Sequence, residues 1–179
     1  MKRLYLPLIL LVILVLESTA IDFLPNDWVI SDYHIIPHWV LIILVYIAIF
    51  YDYDRTYYCV LYGIIFGFLV DLLYTDMLGV YMFAYGMITY IAHGLKKLLH
   101  ANLYVTIILA IVSVALADTV LFVLYTLVDV TNMGWGPYWQ IRLIPTIMAN
   151  LVFALLLYPL FPGMLQQWSE TQLERPKSV

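Results

Sequence analysis

Apolar residues in this chain come in long unbroken runs, without the stripe of a soluble helix or the alternation of a half-buried strand. Runs such as LYLPLILLVILVL and WVLIILVYIAIFY are apolar all round, so lipid is expected to face most of their positions. Crossing a bilayer takes about 20 mostly apolar residues per helix. Six stretches qualify, at 4–24, 35–51, 57–74, 77–95, 103–128 and 141–161. The expected fold is all-α, an integral membrane bundle of six transmembrane helices forming one transmembrane domain over 1–179. The links are short and the ends carry few residues, which leaves no room for a soluble domain.

Composition agrees with that reading. Hydrophobic residues make up 65% of the 179 and charged ones 11%, more apolar surface than a soluble core of this size can hide. The distribution of charge then sets an orientation, because Lys and Arg stay on the cytoplasmic side. With the N-terminus inside, the inner segments hold Lys2, Arg3, Arg55, Lys96, Lys97, Arg175 and Lys177, and the outer ones hold Arg142 alone. Trp28, Trp39, Trp135 and Trp139 fall at outer interfaces, and Trp168 follows the last span inside. Both termini are therefore expected in the cytoplasm, with the chain multi-pass in the membrane. The start also has the look of a secretory signal, with Lys2, Arg3 and a small-residue Ser18-Thr19-Ala20 segment. It is read here as a retained first helix.

Candidate chemistry is sparse. A single Cys59 allows neither an internal disulfide nor a cluster of cysteines around a metal. Phosphate loops, nucleophile elbows and HExxH patterns are absent from the sequence. His34 and His38, with Asp32, have half the makings of a metal site, but Pro37 interrupts them and they read as interfacial histidines. His93 and His100 flank Lys96-Lys97, where contact with anionic head groups is the simplest role. No enzyme activity, cofactor, metal or nucleic-acid partner is expected.

The informative stretch is GIIFGFLVDLLYTDMLGVY. Gly63, Gly67 and Asp71 stand four apart, on one face of a helix, and glycines at that spacing let a second backbone approach. Asp71 lies about 5 Å inside the outer end of its helix, within reach of Arg142, its expected ion-pair partner. Arg142, Thr146 and Asn150 form a second polar face four residues apart. Asp118 lies roughly 12 Å deep, beside the small residues Ala110, Ser113 and Ala117. An outer cluster of Asp71, Asp118, Arg142, Thr146 and Asn150 is expected either to fasten helices or to shape a groove for a partner or small ligand. Asp76 is expected in the outer turn.

GFLVDLLYTDMLGVYMFAYGMITY, with Gly67, Asp71 and Gly79 in order, resembles the G-x-x-x-D-x-x-x-x-x-x-x-G region of the rod shape-determining protein MreD family. RLIPTIMANLVFALLLYPLF resembles that family's last segment, with Pro145 and Asn150 in place. The resemblance implies a non-catalytic subunit of the bacterial cell-elongation machinery that helps MreC and MreB organise peptidoglycan synthesis, alongside RodA and a class B penicillin-binding protein. MreC would meet the outer half of the bundle, and the inner loops around Arg55 and Lys96-Lys97 would lie near filaments. It also implies a fold similar to the substrate-binding subunits of energy-coupling-factor transporters. The alternative function is such a vitamin-type transport subunit, although the Ala-x-x-x-Ala docking face of those proteins is missing from the first helix. A protease dyad of Asp71 and Asp118 fails because carboxylates that share a proton must be adjacent, and these two differ in depth.

Overall fold

The computed structural model describes residues 5–19, 33–99 and 102–173, and among these the regular structure is entirely helical. We number the helices α1 (Tyr5–Thr19), α2 (Trp39–Tyr51), α3 (Tyr58–Tyr74), α4 (Val80–Lys96), α5 (Leu103–Leu127), α6 (Trp135–Leu157) and α7 (Phe161–Leu173). Helix α2 loosens to π geometry over Ile47–Tyr51, and α6 does so over Tyr138–Leu143. Helices α5 and α6 are long and apolar enough to cross a bilayer, and α1, α2 and α3 are shorter apolar helices. Lys2, Arg3, Trp28, Asp32, His100, Arg175 and Lys177, used above to orient the chain or weigh a metal site, lie outside the described residues.

The boundaries differ from the sequence reading for local reasons. The second helix starts at Trp39 because Pro37 has no N–H and disfavours helical backbone at Ile36, so 33–38 lacks regular secondary structure. The last apolar helix begins at Trp135, with Pro137 tolerated in its first turn, and ends at Leu157. A turn at Tyr158–Leu160 then leads into α7, an element the polar composition of QQWSETQ had concealed. Trp168 sits on α7 against the Tyr5 ring, with centroids 5.6 Å apart.

One expectation is corrected. Lipid does not face α2: every residue from Val40 to Tyr51 is buried, and α1, α3, α4, α5 and α6 surround the helix. Lipid tails are as apolar as leucine, so close van der Waals packing holds such a helix at the centre. Helix α1 instead buries a single face, including Leu6, Leu10, Ile13 and Leu14, and leaves Leu8, Leu11, Val12 and Val15 outward.

Buried helix starts need partners for their free N–H groups, since no water reaches them. Carboxylates from the preceding segment supply them. Glu17 Oε2 accepts from Val40 N at 2.8 Å at the start of α2. Asp52 accepts from Tyr58 N at 3.1 Å and Cys59 N at 2.8 Å at the start of α3. Burial raises the Asp52 carboxyl above its ordinary value, opposed by the Cys59 N–H bond.

Candidate functional site

Asp71, in the last turn of α3, caps the start of α4. Its Oδ2 accepts from Gly79 N at 2.9 Å and Met82 N at 3.0 Å, and its Oδ1 accepts from Tyr81 N at 2.8 Å. A carboxylate on the exposed N–H groups of a helix start also meets the positive end of the helix dipole. The turn between them closes through Gly79, whose φ of 99° is a left-handed conformation that favours glycine. Thr75 Oγ1 tightens the same turn by donating to Met77 O at 2.9 Å, and Asp76 is exposed there.

The glycine face lies against α4. A Cβ on Gly67 would stand 2.6 Å from Tyr81 O, and one on Gly63 would stand 2.8 Å from Thr89 Oγ1 and 3.1 Å from Tyr85 O. Gly63, Gly67, Asp71 and Gly79 thus belong to a single seam between α3 and α4.

The expected Asp71–Arg142 pair is corrected by this arrangement. Arg142 instead pairs with Asp118 of α5, through Nη2 at 2.9 Å and Nε at 3.1 Å from Oδ1. Asp118 is fully buried, and the Arg142 side chain keeps 14% of its surface exposed. A two-point guanidinium contact of this kind fixes orientation as well as charge. Asp71 is committed to three backbone donors, which is why the arginine meets the deeper aspartate.

Thr146 and Asn150 hold the segment before α2. Asn150 Oδ1 accepts from His38 N at 2.7 Å, and its Nδ2 donates to Ile36 O at 2.8 Å. Thr146 Oγ1 accepts from Ile36 N at 3.1 Å, and His34 N donates to Ile141 O at 2.8 Å. Pro145 explains the last contact. It stands four residues after Ile141 and has no N–H to offer that carbonyl, which frees it for His34 and accompanies the π turn. Irregular backbone buried in protein persists where neighbouring groups accept and donate to it, as Thr146, Asn150 and Ile141 do here.

His38 is a residue that sequence reasoning assigned wrongly. It is fully buried, with Nδ1 3.0 Å from Tyr85 Oη and Nε2 3.9 Å from Asp118 Oδ1. No local spacing links residue 38 to residue 118, so the sequence carried no signal for this contact. The five residues expected in one cluster therefore divide between a capped α3–α4 turn and a brace joining α2, α5 and α6. Both arrangements fasten helices, and their polar groups are taken up within the chain.

Beside the brace, α6 and the segment before α2 form an apolar groove of about 620 Å³, lined by Tyr33, Ile35, Ile144, Pro145, Met148 and Val152. Met148 is 64% exposed within it. At the other end of α3 and α4, Asp52, Cys59 and His93 bring metal-ligating atoms together.

The family model of the rod shape-determining protein MreD matches residues 2–168. The rod shape-determining protein MreD of Bacillus subtilis (strain 168) is 33% identical over 157 residues, covering 88% of this chain and 90% of that protein. No solved structure matches.

Proposed function

This chain belongs to the MreD family of rod shape-determining proteins, non-catalytic membrane proteins of the cell-elongation machinery, and we propose that it is a multi-pass scaffold for MreC. In this reading α1 to α6 all span the cytoplasmic membrane, with both termini inside. Asp71, Asp118 and Arg142 lie in the outer half and Asp52 and Lys96 at the inner surface. The scaffold joins MreC to MreB, RodA and a class B penicillin-binding protein while the cell elongates.

The observation that carries the proposal is the groove along α6. Its wall is braced, because Thr146, Asn150 and Arg142 on the same helix tie the neighbouring segments together. Its lining is apolar and outward-facing, as the spanning helix of a single-pass partner requires, and the small Ala149 permits close approach. Fixed helix faces are the large surfaces open to a protein with such short links.

Site-specific crosslinking tests it. Met148→Cys, in a Cys59→Ala background, should crosslink to a cysteine in the membrane-spanning segment of MreC in cells, and a control at Leu8→Cys on α1 should not. Crosslinking from α1 but none from α6 would overturn the assignment of this groove. Loss of rod shape on depletion, with MreC absent from detergent pull-downs, would overturn the MreC role itself.

A further inference from the structure

Three side chains the scaffold role does not use meet at the far end of α3 and α4. Asp52 precedes α3, Cys59 lies in its first turn, and His93 lies in the last turn of α4. All three are buried, and one ligand atom from each lies within 4.8 Å of the others. His93 is 1% exposed, and neither of its ring nitrogens makes a well-formed hydrogen bond, with the Asp54 backbone a polar neighbour outside the trio. Buried polar atoms are nearly always paired. A poorly satisfied buried imidazole beside a thiol and a carboxylate offers the donor set of a metal site.

We propose that Asp52, Cys59 and His93 bind one divalent transition-metal ion of the zinc type. A sulfur, an imidazole nitrogen and a carboxylate oxygen are the donors that zinc takes, and three protein ligands leave a fourth position for water. Ligand atoms around tetrahedral zinc stand about 3.3–3.7 Å apart, so small side-chain rotations close the set. On binding, the Cys59 thiol loses its proton to solvent, and metal bonds form to Sγ, a His93 ring nitrogen and an Asp52 oxygen as waters leave the ion. No oxidation state changes. The thiolate and carboxylate together balance the ion's charge.

The surroundings favour this role. Asp52 already accepts from Tyr58 N, Cys59 N and Thr56 Oγ1, bonds that orient the carboxylate and leave lone pairs for a cation. Lys96 Nζ donates to the Asp52 backbone carbonyl, leaving the carboxylate oxygens without a lysine partner. The Cys59 thiol lies against the Asp52 side chain and makes a long contact of 3.9 Å to Thr89 O. A bound ion would clamp the beginning of α3 to the end of α4, as Asp71 clamps their other ends.

The test uses the full chain without a polyhistidine tag, stripped with chelator in nanodiscs and titrated with Co²⁺. Cys59 is the single cysteine, so a thiolate-to-cobalt charge-transfer band reports this site alone. The expected result is a band that saturates at one equivalent and is bleached by Zn²⁺. His93→Gln should weaken Co²⁺ by about tenfold or more. Absence of the band from the unaltered chain overturns the proposal without recourse to any variant, and so does a band unaffected by loss of His93 in a folded protein.

Discussion

Arg142 Nη2 lies 2.9 Å from Asp118 Oδ1, joining α6 to α5 where the sequence had pointed to α3. The pair is more than a local contact. Arg142, Thr146 and Asn150 share one face of α6, and that face reaches both the deep aspartate and the backbone of 34–38. His38, carried by that backbone, returns to Asp118 from the other side, 3.9 Å away. The three elements are therefore held by side chains that each need the others in place.

The pairing is testable by charge reversal. Asp118→Ala leaves a guanidinium partly buried without its partner and should destabilise the protein by about 3–5 kcal/mol. The double exchange Asp118→Arg with Arg142→Asp should recover part of that loss in thermal unfolding in detergent. The exchange Asp71→Arg with Arg142→Asp should recover none. Recovery by the second exchange and not the first would restore the Asp71 pairing.

Asp71 should behave as a cap. Asp71→Asn keeps acceptor oxygen but loses the charge and one acceptor, and should cost about 1–2 kcal/mol. Asp71→Ala strands three N–H groups and should cost more. Hydrogen exchange at Gly79, Tyr81 and Met82 should accelerate in both variants, and protection equal to the unaltered protein would contradict the cap.

The glycines should rank by what lies opposite. At Gly67 a new methyl meets the backbone of Tyr81 and Met82, which cannot yield without separating α3 from α4. At Gly63 the nearest atom is the Thr89 hydroxyl, with backbone at 3.1 Å. Gly94 has nothing within 4 Å. Melting temperatures should fall in the order Gly94→Ala, Gly63→Ala, Gly67→Ala, with Gly94→Ala unchanged or slightly raised by about 0.5–1 kcal/mol of helix propensity.

Asn150 acts as donor and acceptor at once. Asn150→Asp keeps an acceptor for His38 N but sets an oxygen against Ile36 O, and should destabilise by about 1–3 kcal/mol. Proteolysis within 33–38 should speed up accordingly. Asn150→Asp protected as well as the unaltered chain would mean that the amide does not hold this segment.

Local periodicity carried part of this site into the sequence. Gly63, Gly67 and Asp71 share a face because a helix repeats every 3.6 residues, and the same rule aligned Arg142, Thr146 and Asn150. What each face meets was not legible. Asp71 was assigned an arginine because opposite charges attract at any register, whereas the structure gives it three N–H groups a short turn away. His38 looked incidental for the same reason: its neighbours Tyr85 and Asp118 stand on other helices.

The sequence by itself determined that the chain is helical and built for lipid, because uninterrupted apolar length is a property of consecutive residues. Pro37 and Gly79 fell inside the expected spans 35–51 and 77–95, and the structure starts those helices only after them, at Trp39 and Val80. Only the tertiary structure decided that α2 sits at the centre, that Asp118 takes Arg142, and that Asp52, Cys59 and His93 converge. In a nearly uniform apolar chain, most faces pack equally well by composition. Shape and the need to satisfy each buried polar group choose among them, and both depend on residues far apart in the sequence.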